Sequence, residues 1–189
     1  EFGIDRDVQD AFAMRSHLRA TQATHLLNQQ IAPVLGKTTV STDNGIRADS
    51  SLDKLAKLKP LFDSLTGTVT AGNASQVTDG AVALLVASEE AAAAHGWKPL
   101  GRLVSYAATG CDPMRMGLGP VRAMEAALHR AGWKLGDADV VEINEAFAAQ
   151  VLAVMKCLAD PASARRAGLE APLGELDDQA SDVPVLVTI

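Results

Sequence analysis

The stretch Val140-Val141-Glu142-Ile143-Asn144-Glu145-Ala146-Phe147-Ala148 decides the fold class. Residues 139–143 end in a β-branched, apolar run and read as a short buried strand. From Glu145 to about Leu158 the pattern reads as a helix. A strand that passes straight into a helix is half of a βαβ unit, the building block of layered α/β domains. Asn144 and Glu145 then stand at the carboxyl end of a strand, beside the free N–H groups of a helix start, where ligands gather in open α/β sheets. An amide at that place can donate a hydrogen bond or hold a water that stabilises an oxyanion. It can equally be a helix N-cap, with Phe147 as core packing.

The alternation continues outward on both sides. Towards the C-terminus, residues 160–174 carry no obvious chemistry, and residues 183–189 are an apolar stretch on which the sequence stops. On the N-terminal side, Pro120 and Gly132 bracket a helix. Ahead of it lie a loop at 110–119 rich in Gly, Pro and Met, and an apolar segment at 100–107. Ser88, followed by Glu89 and Glu90, starts a further helix that Gly96 stops. Residues 81–87 are continuously apolar and read either as a strand buried on both faces or as a short core helix. A short helix is expected from about Leu52 to Leu58, stopped by Pro60, and residues 38–51 read as extended structure and loop. At the N-terminus, Asp5 precedes a helix running to about Asn28, with Ala11, Met14 and Leu18 as its apolar positions. An opening without Met and an end inside an apolar run are both read as cuts in a longer chain.

Composition narrows the class. The chain has 189 residues, 48% of them hydrophobic, and 17 Lys plus Arg against 23 Asp plus Glu give a net charge of −6. That balance argues against a general nucleic-acid binder while leaving room for a local phosphate site. No apolar run approaches the roughly 20 residues that span a bilayer, so no membrane partner is expected. Two cysteines make neither a secreted disulfide framework nor a metal site, which points to a reducing, cytoplasmic compartment and to no metal.

Few residues read as reactive on their own. Cys157 lies inside an apolar helix as a small core residue, and Cys111 sits in a loop next to the carboxylate of Asp112. His129 lies in a charged helix end. Gly72-Asn73-Ala74-Ser75 is either an ordinary turn or a place where a ligand approaches the backbone closely. Arg47, in a polar loop, has the planar fork that pairs with phosphate, though most such arginines are simply solvated.

Taken in order, four segments resemble one family. They are Gly67-Thr68-Val69-Thr70-Ala71-Gly72-Asn73-Ala74-Ser75, then Asp79-Gly80-Ala81, then Gly117-Leu118-Gly119-Pro120, then Asn144-Glu145-Ala146-Phe147-Ala148-Ala149-Gln150. With the opening run Gln9-Asp10-Ala11-Phe12-Ala13 and residues 52–62, they resemble the thiolases, that is, the acetyl-CoA acetyltransferases and 3-ketoacyl-CoA thiolases. The likeness covers about residues 1–160.

The resemblance implies a partial, layered αβαβα fold with a covering loop domain. Residues 1–66 would be most of that loop domain, 67–97 the end of the N-terminal half, and 98–189 the beginning of the C-terminal half, with an atypical tail at 179–189. It also implies residue roles. Arg47 would contact the nucleotide part of CoA, Ala71 and Ser75 the pantetheine arm, and Met116 and Phe147 the acyl pocket. Asn144 would hold the water of an oxyanion hole. CoA enters as a substrate and no cofactor is implied. The intact enzyme would be a homodimer or homotetramer.

The family's acyl-accepting Cys would lie before Glu1. Its Gly-His-Pro motif and second reactive Cys have no counterpart in this sequence. The expected function is therefore part of an acyl-CoA C-acyltransferase, inactive as this chain. The alternative is a non-catalytic CoA- or lipid-binding module, or a degenerate partner subunit.

Overall fold

Helix α5, Ala148–Ala159, supplies the centre of the core. Ala148, Val151, Val154 and Leu158 fall at helical spacing on one face, and the last three are fully buried together with Cys157. The computed structural model describes residues 1–176 and the backbone of residues 185–188. Around α5 pack Phe12 from α1 (Arg6–Leu27), Val121 from α4 (Gly119–Ala131), and Val141 and Ile143 from strand β1 (Val141–Asn144). Ala164 of α6 (Pro161–Arg166), with Leu169 and Leu176 beyond it, closes the far side. The segments 1–66 and 98–189, expected as separate regions, thus share one hydrophobic cluster.

The fold class is α/β. In β1 the buried residues alternate with exposed Glu142 and Asn144, the two-residue period of a strand. β1 pairs in parallel with β2 (Val185–Thr188), Val141 opposite Val185 and Asn144 opposite Thr188. The rest of the expected atypical tail, residues 179–184 and 189, lies outside the described residues.

The shorter helices follow their local signals. Ser51 caps α2 (Leu52–Leu55) by accepting from the Lys54 N–H, and α2 ends short of the expected Leu58. Ser88 caps α3 (Glu89–Ala94) in the same way, and Gly96 closes it at φ +66°. Pro120 stands in the first turn of α4, and Gly132, at φ +70°, ends it.

Three expectations need correction. Residues 81–87 are neither strand nor helix, and Val82, Leu84, Leu85 and Val86 are each more than three-quarters exposed. A strand buried on both faces needs neighbours on both sides, and none packs there among the described residues. In α1 the buried side is Gln9, Asp10, Phe12, Ala13 and Ser16, whereas Ala11 and Leu18 are exposed. That face is largely polar, with Asp10 bonded to Arg6 and Asn73 and Gln9 Nε2 to Ile4 and Thr68, so apolar spacing alone points to the wrong side. The helix after β1 begins at Ala148, with Phe147 as N-cap, rather than at Glu145. Asn144 is the last strand residue and caps nothing.

Candidate functional site

Three predicted residues meet at the end of β1. Asn144, Phe147 and Met116 line one open cavity of about 360 Å³, together with Gly117, Pro120, Met124, Glu142, Ile143, Ala146 and Gln150. Most of these side chains are apolar, and Asn144 presents an amide at the rim. Gly117 is required by close approach, since a Cβ there would lie 2.9 Å from Cγ of Gln150. Phe147 is held edge-on by Phe62, with ring centroids 6.3 Å apart.

Ser75 and Ala71 belong to a tight turn that docks onto this strand end. The Ser75 N–H donates to the Ala146 carbonyl at 3.0 Å, and the Asn73 carbonyl accepts from the Ala148 N–H at 2.9 Å. These two bonds form an antiparallel bridge between Ala74 and Phe147. Gly72 lets the turn pass close to α2, because a Cβ would sit 2.4 Å from Cδ2 of Leu55. Ala71 is exposed at the turn, away from the residues lining the cavity.

Arg47 lies further out. Its backbone N–H donates to Nδ1 of His17 at 3.3 Å, and its guanidinium turns back to the Asn44 carbonyl at 2.8 Å. Burial, and then the Arg47 charge, hold the His17 pKa below its ordinary value, which keeps the ring neutral and able to accept. His17 in turn lines a small cleft of about 20 Å³ with Ser16, Asn73, Ser75, Gln76 and Glu145. Arg47, Ser75 and the strand end are therefore linked through His17, although Arg47 does not line the Asn144 cavity.

Four residues with a part in this architecture carried no assigned role in the sequence reading. Asp10, Gln9 and Asn73 form a buried polar cluster, with Asn73 Nδ2 donating to Asp10 Oδ1 at 2.9 Å and Gln9 Nε2 to Thr68 Oγ1 at 3.0 Å. Their only sequence signal was their place within the matching motifs. Glu145 is the fourth. Burial pushes its pKa up to about 7, and the Ser16 hydroxyl and the Arg15 and Arg19 charges offset only part of that rise.

Glu145 gives a pH prediction. Its carboxyl favours the protonated form in the fold relative to the ordinary value of 4.5. Its contribution to stability is therefore fully present below pH 4.5 and is lost as pH rises through about 7. Glu145→Gln, which mimics the neutral acid, should stabilise the fold at pH 8 by about 1–2 kcal/mol, allowing for partial exposure. At pH 4.5 it should give no gain. Urea unfolding at both pH values checks this, and a Gln variant weaker at pH 8 would mean that the carboxylate is stabilised there after all.

The two cysteines are not placed as nucleophiles. Cys157 is fully buried, and burial pushes its thiol pKa up, against thiolate formation. Cys111 is exposed in a loop that lines a separate cavity with Arg115, Arg122 and Arg166. Among the described residues no group of three or more His, Cys, Asp or Glu could hold a metal ion, and no helix is long and apolar enough to cross a membrane.

Comparison with known proteins agrees with this architecture. The family model for the thiolase N-terminal domain matches residues 1–90, and that for the thiolase C-terminal domain matches residues 97–165. A 3-ketoacyl-CoA thiolase of Photorhabdus laumondii is 50% identical over 163 residues, covering 82% of this chain and 42% of the relative. An acetyl-CoA acetyltransferase of Shinella zoogloeoides is 50% identical over 165 residues, covering 84% and 42%. Among solved structures, human mitochondrial 3-ketoacyl-CoA thiolase in complex with CoA superposes with a TM-score of 0.78 at 44% identity, over 91% of this chain and 45% of that one. The chain thus spans less than half the length of these relatives. With two consecutive family domains matched in order and the fold shared, the chain belongs to the thiolase family.

Proposed function

We propose that this chain is the portion of an acyl-CoA C-acyltransferase that binds the coenzyme arm and one side of the reacting thioester. The whole enzyme would cleave a 3-ketoacyl-CoA with CoA, or condense two acyl-CoA molecules, by transfer through a cysteine. The observation that carries this reading is the meeting of Asn144, Phe147 and Met116 in one cavity, with the Ser75 turn hydrogen-bonded to the same strand end.

Each residue has a simple task in it. The Arg47 guanidinium pairs with a phosphate of the CoA nucleotide. The Ala71 backbone and the Ser75 hydroxyl hydrogen-bond the amide groups of pantetheine. Met116 and Phe147 give the acyl chain an apolar wall. Asn144 donates its amide to a water that stabilises the oxyanion of the tetrahedral intermediate. In this reading residues 1–66 are the covering loop domain, 67–97 end the first half and 98–189 begin the second. The intact enzyme is read as a cytoplasmic homodimer or homotetramer, which sedimentation of the full-length protein would report.

With Cys157 buried and Cys111 lining a separate cavity beside Arg115, Arg122 and Arg166, the chain is read as inactive alone. Calorimetry with CoA tests the binding role. The chain should bind, and Arg47→Ala should weaken binding by roughly tenfold, the usual worth of a charged contact. Absence of binding, or an unchanged affinity in the variant, would count against it. Cysteine-dependent thiolysis of acetoacetyl-CoA by this chain would overturn the claim of inactivity. The exposed run Val82, Leu84, Leu85 and Val86 favours a second reading, a partner subunit that assembles with a complete chain. Repeating the titration with a full-length thiolase present separates the two.

A further inference from the structure

We propose that Asn73 is a positioning residue that locks the Ser75 turn and the Asn144 strand end into one rigid unit, anchored on Asp10 of α1. The identity of the ligand rests on the acyl-CoA reading above; the locking does not.

Asn73 is 3% exposed, and its side chain makes three hydrogen bonds. Oδ1 accepts from the Thr70 N–H at 2.8 Å, which closes the turn on itself. Nδ2 donates to Asp10 Oδ1 at 2.9 Å and to the Thr68 carbonyl at 3.1 Å, which fixes the turn to α1 and to the segment before it. Its backbone carbonyl then receives the Ala148 N–H, one of the free donors at the start of α5. Asp10 is itself held by Arg6, whose Nε lies 2.7 Å from Oδ2 and whose Nη2 reaches the Leu55 carbonyl.

One residue therefore joins α1 and the turn through its side-chain amide and the N-terminus of α5 through its backbone carbonyl. Only an amide of this length can accept and donate at once here. Aspartate would lose both donations and set two carboxylates against each other, and alanine would lose all three bonds. The consequence lies at the site. Ala71 and Ser75 flank Asn73 in sequence, and Ala146, which receives the Ser75 N–H, is two residues from Asn144. Ligand groups on the turn and on the strand end keep their spacing only while Asn73 holds both, and misplacement of about 1 Å can cost up to a hundredfold in a reaction that depends on geometry.

The test combines residue-resolved amide exchange with CoA calorimetry on the full chain. Asn73→Ala should speed exchange at Thr70, Ser75 and Ala148 while Val154 and Leu158, later in the same core, keep their protection. CoA binding should weaken by roughly tenfold in Asn73→Ala and Asn73→Asp, as expected for a displaced ligand-binding loop. The swap Asp10→Asn with Asn73→Asp restores the donor–acceptor pair with residue 10 but not the bond to the Thr68 carbonyl, and it should bind CoA more tightly than Asn73→Asp alone. Unchanged exchange at Ser75 and Ala148, loss of protection throughout the fold, or a swap no better than Asn73→Asp alone would each overturn the proposal. If the unmutated chain gave no CoA signal while exchange responded as described, the acyl-CoA reading would fail and the locking would stand.

Discussion

Leu158→Ala is expected to destabilise the chain by about 3 kcal/mol, the typical cost of deleting a fully buried leucine and leaving a cavity. Leu158 is completely inaccessible and belongs to the cluster that holds Val121, Val151, Val154 and Leu169. Its own carbonyl accepts from the N–H groups of Leu173 and Gly174 at 2.9 and 3.1 Å, so the backbone at this turn anchors residues 169–176 and has little freedom to collapse into the void. Leu84→Ala provides the contrast. Leu84 is 83% exposed, and its truncation should fall within about 0.5 kcal/mol of zero. Urea midpoints for the two variants measure the difference directly. Equal losses would mean that the apolar run 81–87 is as buried in solution as the α5 core.

Asp10→Ala should be comparably severe, at about 3 kcal/mol. Its side chain is 4% exposed and accepts from both Arg6 and Asn73. Removing the carboxylate leaves a guanidinium partly buried with, among the described residues, only the Leu55 and Leu58 carbonyls, and strands one Asn73 donor. Most of the loss comes from the unpaired partners rather than from the strength of the pair itself. Asp10→Asn keeps the shape and one acceptor oxygen and should cost about half as much. Denaturant unfolding of both variants at low and high salt is the measurement. A loss in Asp10→Ala that shrinks to nothing at 1 M salt would show a screened surface pair instead of a buried one.

The sequence carried much of the local structure. Ser51 and Ser88 cap their helices, and Gly96 and Gly132 end theirs, because these signals depend only on a few neighbouring residues. The strand before Asn144 and the buried face of α5 were also legible, since Val141, Ile143, Val151, Val154 and Leu158 are apolar and fall at the right periods. The ordered motifs of the thiolase family were legible as well, and they brought Asn144, Phe147 and Met116 forward before any geometry was known.

What only the tertiary structure decided was which polar residues turn inward. Gln9, Asp10 and Asn73 look like surface residues in a linear reading, yet each is almost wholly buried. Their partners lie as far as 63 residues away in the chain, so no local pattern encodes the pairing. The same limit worked in the opposite direction at 81–87, where hydrophobicity announces burial but only a packed neighbour can provide it. Asn144 shows both sides at once. The sequence put an amide at the end of a strand. The three residues between it and α5, set by the Ser75 turn that pairs with Phe147, freed that amide from capping the helix and left it at the rim of the cavity.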